Sequence, residues 1–206
     1  MSYHHFESLK EDKKKHIINI ATKEFVENGY EGASTNHMTK AMGISKGSLF
    51  HYFGSKEALY LYIVDQSVTQ VVKRVNESMV NIPDDFIEFI KISAVMEFDL
   101  YIENPQMMHL FKEAFSGKTE ISKKILKHYR VEADQFFDQM TAEYDFPSSA
   151  YKRDYIMNVF RWVLKGLNDN FLDEINTLED NGEKLKHRYL NELNIYLNML
   201  KQLFNL

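Results

Sequence analysis

Apolar residues recur at helical spacing along almost the whole chain, and the gaps between these runs carry glycine, proline, serine or asparagine. In residues 12–28, Ile17, Ile18, Ala21, Phe25 and Val26 form one stripe, and Gly29 offers the positive φ that ends helices. Tyr30-Glu31-Gly32-Ala33 reads as a short turn. Ser34 is the expected N-cap of a second helix, with Thr35 and Asn36 in its first turn and Met38, Ala41 and Met42 inward. That helix stops at Gly43, and only Ile44 and Ser45 separate it from a third. The third is about two turns long. Ser45 caps it, Leu49 and Phe53 share its inner edge, and Lys46, Ser48, His51 and Tyr52 lie on its outer edge.

The pattern continues as a long fourth helix from Ser55 to about Val80 and a fifth from Asp84 to about Glu103. Asn104-Pro105 starts a sixth, which ends at Gly117. Thr119 opens a seventh reaching about Tyr144, before Pro147 breaks it. An eighth runs from Ser148 or Ser149 to about Ile175, and residues 183–205 form a ninth. The expected class is all-α, with nine helices. The last two are apolar on more than one face, enough for a core and a partner both. Helices at about 149–175 and 183–205 from two subunits would build a four-helix dimer interface.

Composition narrows the chemistry. With 44% hydrophobic and 27% charged residues the chain is ordinary for a globular protein, and 3 prolines and 8 glycines leave few breaks. Without cysteine there is no disulfide framework, thiolate metal site or cysteine nucleophile. No His-Glu-x-x-His or Walker spacing occurs, so no metal or cofactor is expected, and no nucleophile or base points to an enzyme. The longest unbroken apolar run, Ala58 to Val64, falls far short of the roughly 20 residues of a membrane span. Residues 1–16 are polar and charged rather than signal-like, which makes the cytoplasm the expected compartment.

Net charge is −5, which at first argues against a nucleic-acid partner. Residues 1–60, however, hold eight Lys/Arg against seven Asp/Glu together with five of the eight histidines. The acidity therefore lies elsewhere, and any DNA contact is local.

Two helices joined by a three-residue glycine turn have helix-turn-helix geometry, in which the second helix presents its outer side to the major groove. Beyond the spacing, Phe25, Gly29-Tyr30, Ser34-Thr35, Ile44-Ser45-Lys46-Gly47-Ser48-Leu49-Phe50-His51-Tyr52-Phe53 and Ser55-Lys56-Glu57-Ala58-Leu59 resemble the N-terminal domain of TetR-family transcriptional regulators. The resemblance covers about residues 12–60. It implies an all-α homodimer with a DNA-binding head, here residues 1–58, and a ligand-binding and dimerising body, here residues 59–206. It further implies phosphate contacts from Thr35, Ser45, Tyr52 and Lys56, and base or groove contacts from Asn36, Lys46, Gly47 and Ser48. Phe50 and His51 would meet the backbone or a thymine methyl. Hydroxyls and helix N-terminal amides suit phosphate oxygens, and Lys46 suits guanine O6 and N7. Two positions depart from the family pattern: His37 stands where an acidic residue often completes a capping box with Ser34, and Phe50 replaces a common tyrosine.

The expected partners are a near-palindromic double-stranded operator, a second copy of the chain and a small-molecule effector, with repression as the expected mode. Met and aromatic residues of the body suggest an adaptable apolar pocket for a hydrophobic or aromatic ligand, with Phe98, Tyr101, Met107, Met108, Phe111, Tyr129, Phe137 and Trp162 as candidates. Core packing is the plainer role for any one of them. The alternative function is a helical small-molecule-binding or interaction protein whose head does not bind DNA.

Overall fold

The computed structural model describes residues 3–78, 80–130, 141–175 and 182–206. Among them there are ten helices and no strand: α1 (His4–Glu7), α2 (Glu11–Gly32), α3 (Thr35–Met42), α4 (Lys46–Phe53), α5 (Lys56–Ser78), α6 (Phe86–Glu103), α7 (Pro105–Ala114), α8 (Glu120–Tyr129), α9 (Arg153–Ile175) and α10 (Glu183–Phe204). The chain is all-α, as its periodicity predicts. No helix among the described residues is long and apolar enough to cross a membrane.

The helices gather into two compact units, Met1–Gln70 with Gln106–Ala133, and Val71–Pro105 with Asp134–Leu206. In the first, the stripe of α2 (Ile17, Ala21, Phe25) meets Met38 and Met42 of α3, Leu49 and Phe53 of α4, and Leu59 and Ile63 of α5. Leu110 and Ala114 of α7 and Ile121 and Ile125 of α8 join the same core. Short helices of eight residues are marginal alone, so α3 and α4 owe their persistence to this burial. In the second unit α6, α9 and α10 pack on one another. Its core is aromatic: Phe98 stacks on Tyr189 with centroids 4.0 Å apart, Phe171 meets Tyr189 edge-on at 5.4 Å, and Phe86 meets Phe160 at 4.9 Å. The Tyr189 hydroxyl donates to Asn168 Oδ1 at 2.8 Å, which satisfies both buried groups.

The structure departs from the periodicity at helix ends. A tenth helix, α1, appears where the N-terminus reads as merely polar, because Phe6 is wholly buried in the first unit's core. Gly29 (φ 65°, ψ 171°) kinks α2 and a last turn continues to Gly32. The cap of α6 is Asp85, not Asp84; its side chain accepts from Glu88 N at 2.8 Å. The helix opened by Thr119 ends at Tyr129, where Arg130 turns left-handed at φ 54°; residues 131–140 of the helix expected to reach about Tyr144 lie outside the described residues. α9 starts at Arg153 rather than at Ser148 or Ser149. The Ser149 hydroxyl accepts from Tyr151 N at 3.3 Å, a local turn that competes with helix.

Candidate nucleic-acid interface

The Ser34 side chain accepts from His37 N at 3.4 Å and caps α3. His37 has no carboxylate to return to the Ser34 amide; Glu24 of α2 takes that role instead, its Oε1 accepting from Ser34 N at 2.8 Å. The departure at His37 is thus repaired from the preceding helix, and the capping logic is preserved. α3 ends at Gly43, left-handed at φ 67° and ψ 30°, with Ile44 N bonded to Thr39 O at 3.1 Å. Ser45 then caps α4, accepting from Ser48 N at 3.0 Å. Gly54, at φ 78°, closes α4 after one more bond, from its N–H to Phe50 O at 2.7 Å.

This frame fixes what α4 can offer. Leu49 and Phe53 are buried, so the opposite side is left outward. Lys46, Gly47, Phe50 and His51 are exposed, as are Ser45 before them and Asn36 in the first turn of α3. Lys46 and Phe50, and likewise Gly47 and His51, are one turn apart and lie side by side; the Lys46 ammonium is 6.0 Å from the Phe50 ring centroid. The N–H groups of Lys46 and Gly47 lie in the first turn, where a helix has no internal acceptor, and are free for a phosphate oxygen. A methyl added at Gly47 would touch only Ser45 Oγ, at 3.7 Å, so nothing in the fold requires glycine there.

Several expected contacts turn out to have internal duties. Thr35, Ser48 and Tyr52 are half-buried. The Ser48 hydroxyl lies 2.8 Å from that of Ser45, and the Tyr52 ring leans on Phe6 with centroids 6.1 Å apart. Lys56 differs most from expectation. Its ammonium donates to the carbonyls of Tyr30 at 2.8 Å, Glu31 at 3.2 Å and Ala33 at 3.2 Å, and lies over the Tyr30 ring. It fastens the turn between α2 and α3 instead of standing free for a phosphate.

Three contributors are absent from the sequence expectations: Glu24, Phe6 and His5. The His5 ring sits 4.1 Å from that of His51, so α1 borders the exposed side of α4. Tyr3 and Phe6, spaced i, i+3 in an otherwise polar stretch, were the available signal for a packed turn.

The expected effector residues fare differently. In the second unit Phe98 and Tyr101 are buried, whereas Trp162 is 68% exposed. In the first, Met107 and Met108 are buried, Phe111 packs on Phe115, and the Tyr129 hydroxyl donates to Asp65. Phe137 lies outside the described residues. No group of three or more His, Asp or Glu able to hold a metal occurs among the described residues.

Comparison with known proteins agrees with this geometry. The sequence model for bacterial regulatory proteins of the tetR family matches residues 17–63. The HTH-type transcriptional repressor AcnR of Corynebacterium efficiens is 34% identical over 67 residues, 32% of this chain and 36% of that protein. The HTH-type transcriptional regulator UidR of Escherichia coli K12 is 37% identical over 79 residues, 38% of this chain and 39% of that one. The matched segment thus spans little more than a third of either relative. Over nearly the whole length the likeness is one of fold: a TetR family transcriptional regulator from Chloroflexus aurantiacus superimposes with a TM-score of 0.70 at 19% identity, covering 96% of this chain and 95% of the other. The matched segment, most of α2 through α5 on a capped helix-turn-helix, is thus similar to the bacterial regulatory proteins of the tetR family.

Proposed function

We propose that this protein is a sequence-specific DNA-binding transcriptional regulator, a cytoplasmic homodimeric repressor whose operator affinity falls when a small hydrophobic or aromatic effector binds. Residues 1–58 read DNA in this scheme, and residues 59–206 serve dimerisation and effector binding. The observation that carries it is the outward side of α4. Lys46, Gly47 and His51 are exposed on a helix whose N-terminal amides are open and whose other side is locked into the core. Dimerisation is supported by α9 and α10. Tyr155 and Trp162 on α9, and Ile195, Met199 and Leu203 on α10, form exposed apolar stripes at helical spacing. A dimer would set two copies of α4 about 34–36 Å apart, one helical turn of DNA.

The test is fluorescence anisotropy on the intergenic DNA beside the protein's own gene. Lys46→Ala should cost about 1–3 kcal/mol of binding, as expected for a lost base contact, and Tyr52→Phe should weaken binding, both with unchanged far-UV circular dichroism. Gly47→Val should keep the fold and weaken binding by crowding the base edges. Wild-type affinity in all three variants, or a monomer in light scattering, overturns the proposal. Effector binding without any DNA binding would leave the small-molecule carrier in its place.

A further inference from the structure

The first unit carries a cleft of about 250 Å³ that none of the expected effector residues lines. Its walls come from the end of α2 (Phe25, Tyr30, Glu31), from Tyr60 of α5, and from α7 and α8, with Glu113 of α7 at the rim. It is smaller than the about 300–1,000 Å³ of drug-sized sites, so its occupant is small. Three rings converge on it. Phe25 and Tyr60 meet edge-on with centroids 4.8 Å apart, Tyr30 and Tyr60 stand 5.1 Å apart, and Phe25 and Tyr30 are stacked at 6.2 Å.

Two carboxylates weight the electrostatics of the cleft, with His109 also on its wall and the Lys124 ammonium, paired with Glu57, acting on Tyr30 from one side. Glu31 and Glu113 line it as exposed carboxylates, and neither forms an ion pair among the described residues. Tyr60 is only 4% exposed, and its hydroxyl has no hydrogen-bond partner among the described residues. Burial pushes the Tyr60 hydroxyl up to about 12, and the negative charge of Glu113 adds to that shift. The ring cluster already attracts one cation: the Lys56 ammonium lies 4.7 Å from the centroid of Tyr30. Aromatic faces and unpaired carboxylates together favour a positive guest and disfavour an anion.

We infer that this cleft binds a small organic cation, an aromatic or alkyl ammonium, and that the cation is the effector that loosens the helix-turn-helix. The coupling is short. Asn28, Gly29, Tyr30 and Glu31 line the cleft, and the carbonyls of Tyr30, Glu31 and Ala33 are the ones Lys56 holds. The next residue, Ser34, caps α3. A guest against the Tyr30 ring competes with Lys56 for that ring and shifts the turn from which α3 starts. The effector role rests on the DNA-binding function proposed above; the binding site does not.

Calorimetric titration of the full chain with benzyltrimethylammonium separates the two. Binding is expected for this cation and absent for benzoate, with at least tenfold weakening in the double variant Glu31→Gln, Glu113→Gln. That variant removes two surface charges and should melt like the wild type. Equal binding of benzoate, full binding by the double variant, or no binding of the cation overturns the site. On intergenic DNA the cation should weaken binding by the wild type at least threefold and leave the double variant unaffected. Cation binding with no change in DNA affinity overturns the effector role. A chain that binds the cation but no DNA upholds the site and removes the regulator.

Discussion

Residues 34–58 and residues 141–206 terminate their helices by different means. In the first stretch the signals are local. Ser34, Ser45 and Ser55 each accept from a backbone N–H three residues on, and Gly43 and Gly54 supply the positive φ at the exits. In the second, α10 also ends locally, on Asn205 at φ 54°, but side chains from farther along the chain add the remaining ties. Arg153 donates to the carbonyls of Thr141 and Tyr144 at 2.6 and 3.1 Å, Asn205 donates to Ser148 O at 3.2 Å, and Lys186 pairs with Asp99 at 2.6 Å. Local caps contribute about 0.5–2 kcal/mol each, while a charged hydrogen bond contributes about 1.5–3. The head therefore adds Glu24 and Lys56 to a set of small local caps, while the second unit leans more on side chains from farther along the chain. That difference also tracks the comparisons. Segments of 67 and 79 residues align with known regulators at 34 and 37% identity, whereas the whole fold is shared at 19%. Helix ends written in adjacent residues survive as sequence, and a core of interchangeable apolar side chains survives only as shape.

The largest test of this contrast asks whether local signals suffice for the head. Phe6 is fully buried against Phe53 and Tyr62, with centroids 4.6 and 5.2 Å away. Phe6→Ala should destabilise the head by about 3–5 kcal/mol, the range for a buried phenylalanine, against about 1 kcal/mol for Ser45→Ala. Urea denaturation compares the two. If Phe6→Ala cost no more than Ser45→Ala, α1 would be dispensable and the head would be held by its caps.

Phe6 also shows why some of the molecule is legible in sequence and some is not. The order of helices from α2 onward follows from apolar spacing and glycine stops, since both act within one turn of the residue concerned. The helix-turn-helix was readable for that reason, including the Ser45 cap and the inward Leu49 and Phe53. What escaped depends on distant groups: Glu24 repairing the cap at Ser34, Phe6 holding a helix of four residues, and Lys56 spending its charge on three carbonyls. The burial of the pocket candidates was not legible. Methionine and aromatic side chains have the same spacing whether they fill a core, as Phe98 does, or face outward, as Trp162 does. The cleft of the first unit joins Phe25, Tyr60 and Glu113, which no local pattern connects.

Lys56 and Arg153 are the next test, because each region then loses one long side chain. Methionine keeps the length and removes the donors. Lys56→Met and Arg153→Met should each cost about 1.5–3 kcal/mol in thermal or chemical denaturation. Equal losses would mean that the head, too, leans on a distant closing group. If Lys56→Met left the melting temperature unchanged and lowered only DNA affinity, the lysine would be a phosphate ligand and the head would be local in character throughout.

The smallest effect concerns pH and the same N-terminal turn. The Tyr62 hydroxyl donates to Glu7 at 2.7 Å, and Lys14 pairs with that carboxylate at 3.2 Å. The Tyr62 hydrogen bond, the largest effect, holds the Glu7 carboxyl below its ordinary value of 4.5; burial opposes it, and Lys14 adds smaller lowering effects. The unfolded chain therefore takes up a proton at higher pH than the folded one does. The resulting stability is complete above the ordinary carboxylate value and drains away as pH falls through the lowered one. Because the Glu7 side chain is 48% exposed, solvent screens the pair and the contribution is small. Glu7→Gln should flatten the fall in head stability below about pH 4.5 and leave the neutral-pH value nearly unchanged. A fall of the same steepness in the variant would place the acid sensitivity in other carboxylates, and α1 would then be held by Phe6 and Tyr3 alone.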